Sequence, residues 1–490
     1  MATTTRGPVR VRFAPSPTGF LHVGGARTAI YNELMCLGAR RDGAEAAHVL
    51  RIEDTDTARS SDAMTQQIVD ALAWLGIEHD EGPFLQSERS THHREAAEQL
   101  LAQGHAYHCF RSQEEVEAMR AEIVGRGENY TYRTAFERAP DDEVARRVEA
   151  GEPYAVRFRM PDGAIEFDDI VRGAMSFPPE ALDDFIILRS DGSPTYHLSV
   201  VVDDIDMAIT HVIRGEDHLS NTPKHIGLFR ALEADEPTFC HLPLILGADK
   251  KRLSKRTGAT SVEEFRDQGI VPQALYNYLA FLGWSPGDER ELMSRDELIE
   301  AFDADRLRRT AAVFDIEKLR WMNANYMSIL DLDEILRRLE PYVAEVGLTE
   351  HLGSERMARA VDVQRRRAKD LRELAGSLRP YFQDTLSYDA ERWRKFIGQA
   401  ELPAALEELM QRYAALDDYS IESTERVLRE LATELEVKAG FLIHPTRVAL
   451  SNDKAGPPLF DLVVAMGQEE GGRHLRNFVA FLHAERAVGG

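Results

Sequence analysis

Apolar and polar residues alternate strictly over 9–13, where Val9, Val11 and Phe13 are separated by Arg10 and Arg12. A period of two marks a strand with one apolar face. Pro15 and Pro17 end it, because proline lacks the ladder donor and biases the residue before it toward extended geometry. Thr18 and Gly19 turn the chain, and from His22 the spacing becomes helical, with Val23, Ile30, Leu34 and Leu37. The pattern predicts a strand, a tight loop and a helix opening on His22-Val23-Gly24-Gly25. Such a junction offers unpaired N–H groups and the positive helix end to an anion. Small residues at Gly24, Gly25 and Ala26 let a large ligand lie against the backbone. An ordinary turn with a surface histidine fits this stretch equally well when it is taken alone.

Further along, AHVLRI at 47–52 reads as a buried strand followed at once by Glu53-Asp54-Thr55-Asp56. Acidic residues at the carboxyl end of a parallel strand face ligand in doubly wound sheets; the alternative is an acidic turn capping the helix marked by Met64, Ile68, Leu72 and Leu75. A second amphipathic helix covers 87–104. From 106 to about 185 the pattern is irregular, helical near 112–123 and 141–150 and strand-like in YAVRFRM and AIEF. We read it as an insertion between two halves of a nucleotide-binding sheet. Thr195-Tyr196-His197 leads into VVVDD, and HVIRGEDH is a strand ending in charges. Arg214 stands at that end, where a guanidinium can hold a carboxylate in a two-point fork; a salt bridge to Glu216 or Asp217 is the structural alternative. HLPLIL at 241–246 is expected as the last core strand, delivering the basic, glycine-flanked loop GADKKRLSKRTGAT, whose glycines and charge predict a mobile loop. From 261 onward helical spacing dominates, with Leu275, Tyr278, Leu279 and Leu282 on one face. Loops interrupt it near 384–390 and 451–458. Arg365, Arg366, Arg367, Lys369 and Arg372 make one helix locally basic, as a solvated face or an RNA contact.

At 490 residues the chain should hold more than one domain. Its 43% hydrophobic and 29% charged content is that of a soluble globular protein. No apolar run approaches the roughly 18 residues of a membrane span, and the N-terminus lacks the apolar core of a signal peptide. Cys36, Cys109 and Cys240 are odd in number and far apart, which excludes a disulfide framework and suits a reducing cytoplasm. A net charge of −24 argues against non-specific nucleic-acid binding, while leaving room for a partner met at local basic surfaces.

Taken together, PSPTGFLHVGG at 15–25 and Arg252-Leu253-Ser254-Lys255-Arg256 resemble the HIGH and KMSKS sequences of class I aminoacyl-tRNA synthetases. Their wording is most similar to glutamyl-tRNA synthetases of the bacterial type. LRIEDTD at 50–56, PTYHLSVVVDD at 194–204, HVIRGEDHLSNTPKH at 211–225, NYLAFLGW at 277–284 and PPLFDLV at 457–463 extend the resemblance along nearly the whole chain in order. It implies an α/β fold: a Rossmann-like catalytic domain in two parts, 1–105 and 186–260, around an α/β insertion at 106–185 that touches the tRNA acceptor end. A helical stem-contact domain at 261–330 and an all-helical anticodon-binding region at 331–490 would follow. It further implies a cytoplasmic monomer acting on ATP with Mg²⁺, L-glutamate and tRNA(Glu), with ATP–pyrophosphate exchange that depends on cognate tRNA.

The same resemblance implies roles for single residues. His22 and Lys255 would be catalytic, and His22, Gly24, Gly25, Glu216, Asp217, Arg252, Ser254 and Lys255 would hold ATP. Arg12, Ser16, Glu53, Tyr196 and Arg214 would hold glutamate, with Glu53 on its amino group and Arg214 on its side-chain carboxylate. Arg367 would read the anticodon. Arg252 stands where the family has a lysine and keeps the charge; Val200 stands where some relatives have asparagine. Some relatives bind zinc in the insertion through Cys-x-Cys with a downstream Cys and His. Here Cys109-Phe110-Arg111 and Thr131-Tyr132-Arg133-Thr134 occupy those places, and one thiolate does not make a four-ligand site. No structural zinc is expected. Glutaminyl relatives typically carry β-barrel anticodon domains, at odds with the helical pattern beyond 330. A shorter relative that modifies a tRNA base lacks the C-terminal half. A catalytically silent scaffold should have lost His22 or Lys255, and a small-molecule nucleotidyltransferase leaves the large remainder without a purpose.

Overall fold

The computed structural model describes residues 7–55, 61–253 and 260–489. They fall into two compact units, one reaching through Glu264 and resuming over Tyr276–Asp315, the other comprising Phe265–Leu275 and the chain from Ile316 onward.

The first unit opens as the alternation predicts. Strand β1 (Val9–Phe13) buries Val9, Val11 and Phe13, and helix α1 (Val23–Arg41) follows with Ile30 and Leu34 wholly enclosed. Each such aliphatic side chain contributes about 1.5–3 kcal/mol relative to exposure. Then come β2 (Ala46–Ile52), α2 (Asp62–Leu75), β3 (Glu81–Leu85) and α3 (Ser90–Ala102). β4 (Ala106–Cys109), α4 (Gln113–Gly125), α5 (Tyr132–Ala135), α6 (Asp141–Glu149) and β5 (Ala155–Phe158) lead to β6 (Ile165–Asp169), β7 (Gly173–Phe177) and β8 (Phe185–Leu188). α7 (Tyr196–Asp206), β9 (His211–Gly215), α8 (Thr222–Ala231) and β10 (Thr238–Leu242) complete the sheet.

The main sheet has seven strands in the order β3-β2-β1-β9-β10-β6-β7. All neighbours pair in parallel except β6 and β7, which form an antiparallel hairpin. Strand order reverses between β1 and β9, the switch point at which open α/β sheets bind ligands outside the carboxyl strand ends.

Two expectations need correction. Residues 165–177 lie inside the span read as a separate insertion, yet β6 joins the main sheet through β10; only β4, β5 and β8 form a three-stranded sheet of their own. The HLPLIL run is not one strand: β10 ends at Leu242, Pro243 interrupts the ladder, and β11 (Ile245–Leu246) pairs instead with β12 (Ala312–Val313). β3 is an element not read from the sequence: EGPFL has no apolar alternation, and three of its five residues are exposed.

The second unit is built from helices, from Ile316–Ile329 to Gln468–Gly489, with no strand among its described residues. Leu332–Glu345 is typical: Ile335, Leu339, Tyr342 and Val343 recur at helical spacing and are its buried face.

Candidate active site

A cleft of about 680 Å³ opens at the carboxyl ends of β1 and β9. Its lining includes Arg12, Ser16, His22, Gly24, Gly25, Glu53, Tyr196, Arg214, Asp217 and Arg252, so ten residues singled out from the sequence converge here. Arg12, Arg27, Arg214 and Arg252 face two carboxylates, Glu53 and Asp217, and the pocket is locally basic inside an acidic chain.

His22 caps α1: its Nδ1 accepts the Gly24 N–H at 3.0 Å. An accepting Nδ1 carries no proton, so a neutral ring carries its proton on Nε2. A Cβ on Gly24 would sit 3.4 Å from His22 Nδ1, and one on Gly25 would sit 3.1 Å from Leu21 Cδ1. The helix start is tied to the far side of the basic loop, since Val23 N–H donates to Thr260 O at 2.9 Å and Val262 N–H to Leu21 O at 3.0 Å. On the near side Leu253 N–H donates to Ile245 O at 3.1 Å and Gly247 N–H to Lys251 O at 2.8 Å. The loop is thus anchored at both ends against the cleft. Ser254 and Lys255 themselves lie outside the described residues. Arg252 stands at the rim, 3.5 Å from Asp217 Oδ2.

Deeper in, Arg12 is 4% exposed and its Nε–H donates to Asp204 Oδ1 at 3.2 Å. Its two terminal nitrogens make no hydrogen bond to a described residue and form a fork on the cleft wall. Arg51, fully enclosed, donates to the same Asp204 oxygen at 2.7 Å and reaches Glu53 Oε1 at 3.4 Å. Burial pushes the Glu53 carboxyl above its ordinary range, against the charges of Arg51 and Arg12. Tyr196 OH is 2.8 Å from His218 Nδ1, and burial raises the phenol to about 12.

Arg214 is 6% exposed at the end of β9. Its Nε–H donates to His241 Nε2 at 3.1 Å, Nη1 to His225 Nδ1 at 3.2 Å, and Nη2 to Thr222 Oγ1 at 2.8 Å and the His218 carbonyl at 3.4 Å. None of these partners is a carboxylate; the salt bridge to Glu216 or Asp217 is not formed. The guanidinium is therefore a buried charge without a counter-ion among the described residues, and burial holds its pKa below the usual arginine value. The two-point fork is only partly free, because one of its five N–H groups stays uncommitted and a second sits on the long contact to His218.

Glu216 does not reach the cleft. Its Oε1 accepts the Leu244 N–H at 2.8 Å and its other oxygen pairs with Arg172, so it braces the turn after β10. Arg367 lies in the other unit, exposed and without an ion-pair partner among the described residues. Val200 is fully buried in α7. Asp204, Arg51, His225, His241 and Thr222 carry no local signal as supports of Arg12 and Arg214; only their long-range pairing reveals them.

In the insertion, a concavity of about 580 Å³ is lined by arginines and aromatic rings, among them Phe110, Arg111, Arg133, Phe136, Arg138 and Arg147. Arg147 lies 4.1 Å over the Phe110 ring and Arg157 3.5 Å over Tyr132. Cys109 Sγ is 3.0 Å from Tyr132 OH, so this thiol is engaged by a phenol. Among the described residues no three His, Cys, Asp or Glu side chains are grouped to hold a metal.

Residues 8–321 match the family model for the class I tRNA synthetases for E and Q, catalytic domain. The chain belongs to this family. A second model, an anticodon binding domain, matches 326–479. Among relatives of this synthetase family, the "Glutamate--tRNA ligase 2" of Koribacter versatilis is 44% identical over 97% of this chain and 99% of its own length. The "Glutamate--tRNA ligase" of Citrifermentans bemidjiense is 42% identical over 97% and 99%. The crystal structure of a glutamate tRNA ligase from Elizabethkingia meningosepticum in complex with its amino acid superposes with a TM-score of 0.85, at 32% identity over 97% of this chain and 99% of that one.

Proposed function

We propose that the chain activates L-glutamate with ATP and joins it to the 3′ end of tRNA(Glu), as a cytoplasmic monomer. Arg214 carries this reading: a buried guanidinium with no carboxylate partner, at the strand end of a cleft whose other wall is a helix N-terminus. Arg12, with its free fork, and Tyr196 complete a pocket for an anionic side chain, and Glu53 supplies the negative charge for an ammonium group. The full-length similarity to proteins named as glutamate–tRNA ligases supports the same substrate.

Two steps follow from this arrangement. An oxygen of the glutamate α-carboxylate attacks the α-phosphorus of ATP, and pyrophosphate leaves. A ribose hydroxyl at the tRNA 3′ end then attacks the carbonyl carbon of the mixed anhydride, and AMP leaves. Neither step needs a side-chain nucleophile; rate comes from positioning and from charge aimed at the phosphates. His22 and the positive end of α1 face them, with Gly24 and Gly25 leaving room. Asp217 and Arg252 close the rim, and Ser254 and Lys255 would come from the anchored loop. Mg²⁺ enters with ATP as part of the substrate, held by phosphate and water. The chain requires no structural zinc, consistent with the Cys109–Tyr132 contact.

The arginine–aromatic concavity of the insertion suits an unpaired acceptor end, since rings stack on bases and guanidinium groups meet phosphates. Arg367, uncommitted in the helical unit, suits an anticodon contact. Aminoacylation tests the whole reading: purified tRNA(Glu) and tRNA(Gln), each offered with glutamate and with glutamine. Glutamate should be attached to tRNA(Glu), and exchange of pyrophosphate into ATP should require that RNA. Charging with glutamine in preference to glutamate would refute the reading.

A further inference from the structure

Arg214 is held by a relay that crosses three adjacent strands. Asp169 closes β6, His241 lies on β10 and Arg214 on β9; His241 and Arg214 are register partners, and Asp169 pairs with Phe239, two residues before His241. All three side chains are buried. Asp169 Oδ1 accepts the backbone N–H groups of Val171 at 2.9 Å and Arg172 at 2.8 Å. Its Oδ2 accepts the His241 backbone N–H at 3.0 Å and lies 2.7 Å from His241 Nδ1.

These contacts fix where the imidazole proton sits. A carboxylate only accepts, so Nδ1 must be the donor and Nε2 must keep its lone pair. That lone pair receives the Arg214 Nε–H at 3.1 Å, with Thr222 Oγ1 3.0 Å away. The opposite tautomer would set N–H against N–H, and a protonated ring would place a second cation in a dry site. Burial opposes that second charge and keeps the His241 pKa below its usual value, despite the hydrogen bond to Asp169. Of the guanidinium's edges, the relay takes Nε, and Thr222 and His225 take one N–H of each terminal nitrogen. What remains is one N–H on Nη1 and the Nη2 N–H on the long contact to the His218 carbonyl, on a side chain that lines the cleft.

We infer that Asp169 and His241 are positioning residues for amino-acid selection: the Asp169 carboxylate selects the His241 tautomer that accepts from Arg214, and thereby aims the guanidinium at the substrate's side-chain carboxylate. This rests on the reading of Arg214 as the glutamate-binding arginine. Neither residue touches substrate; both act through the orientation of Arg214.

Asp169→Asn tests it with almost no change of volume. The amide oxygen should stay with the two backbone donors of Val171 and Arg172, which turns the NH₂ group toward His241. That NH₂ donates to Nδ1, forces the proton onto Nε2 and sets it against Arg214 Nε–H. The glutamate KM should rise roughly 10- to 100-fold, the scale of misplacing a binding group by about an ångström, while the KM for ATP moves little; Tm falls as well, because the same NH₂ meets the His241 backbone N–H that Oδ2 accepts in the wild type. The preference for glutamate over glutamine should fall. His241→Gln should restore binding, because its amide can donate to Asp169 and accept from Arg214; His241→Leu should behave as Asp169→Asn does. Arg214→Gln measured in parallel separates the two claims. If it leaves the glutamate KM unmoved, the reading of Arg214 falls. If it raises KM while Asp169→Asn and His241→Leu lower only Tm, the positioning role alone is overturned. Nitrogen-15 NMR of the wild-type His241 ring needs no variant to fold: a protonated Nδ1 and bare Nε2 agree with the relay, and the reverse refutes it.

Discussion

Arg12 Nε lies 3.2 Å from Asp204 Oδ1, an oxygen that also receives Arg51 at 2.7 Å. One buried carboxylate thus aims the fork of Arg12 into the cleft and neutralises an arginine with no exposure at all. Asp204→Asn removes the charge but keeps the shape. Breaking a buried pair from one side costs about 3–5 kcal/mol, so Tm should drop clearly and the glutamate KM should rise together with it. An unchanged Tm would mean that Glu53 and Asp203 suffice for Arg51.

Acid should unfold the chain earlier than its carboxylates alone require. Burial holds His48, His197 and His218 at about 4 in the folded chain, whereas an exposed imidazole titrates near about 6.5. Above that upper value neither state binds the proton and the rings contribute nothing. Between the two values the unfolded chain takes up protons that the folded chain refuses, so stability falls as pH falls and levels off below about 4. Each ring adds a slope of at most about 1.4 kcal/mol per pH unit, less for His197 and His218, which are partly exposed. Tm measured from pH 7.5 to 5 should decline, and His48→Gln should flatten the decline. Parallel curves for wild type and variant would contradict this.

Gly24→Ala should separate stability from activity. Alanine at a helical position gains up to about 1 kcal/mol over glycine, and its Cβ would meet His22 Nδ1 at 3.4 Å, an ordinary van der Waals contact. Tm should hold or rise while the KM for ATP increases, because the methyl group takes space on the cleft wall where Gly24 leaves the backbone bare. Unaltered ATP kinetics would show that the nucleotide does not lie against this backbone.

The elements around the cleft were legible where the signal is local. Alternation at Val9, Val11 and Phe13 and helical spacing from Val23 locate β1 and α1, and the strand-end charges Arg214 and Glu53 do face the cleft. What failed was non-local. β6 joins the sheet by pairing with β10, some 70 residues later, and such pairing leaves no mark on the spacing within β6. Glu216 looked as free as Asp217 in the sequence, but its carboxylate is taken by Leu244 and Arg172, which approach from other elements. The histidines that hold Arg214 are 11 and 27 residues away from it, and nothing in their local pattern distinguishes them from core histidines.

Lys255→Ala tests the loop, whose two anchors lie against the cleft although the lysine is outside the described residues. A cation that meets charge chiefly in the transition state contributes to the rate and little to ground-state binding. Activation should slow by roughly 10²–10³, with the glutamate dissociation constant nearly unchanged. Uniform small losses in every constant would make the loop structural.

Arg214→Gln bears most directly on substrate choice. The wild-type guanidinium is buried with four protein acceptors and no counter-ion, and its lowered pKa records a site that disfavours the charge until an anion arrives. Removing that charge should therefore leave Tm level or raise it, the pattern of a site that trades stability for function. Glutamate should lose roughly 2–5 kcal/mol of binding, the cost of leaving a buried charge without its partner. Neutral glutamine should lose less, so the ratio of kcat/KM for the two amino acids should fall even when both reactions are slow. The KM for ATP and the affinity for tRNA should barely move, since His22, the start of α1 and the helical unit are untouched. Calorimetry and activation kinetics with both amino acids decide between the two roles. A large fall in Tm with the glutamate-to-glutamine ratio preserved would mean that Arg214 holds the strand end together and that another group, with Arg12 the first to try, reads the substrate.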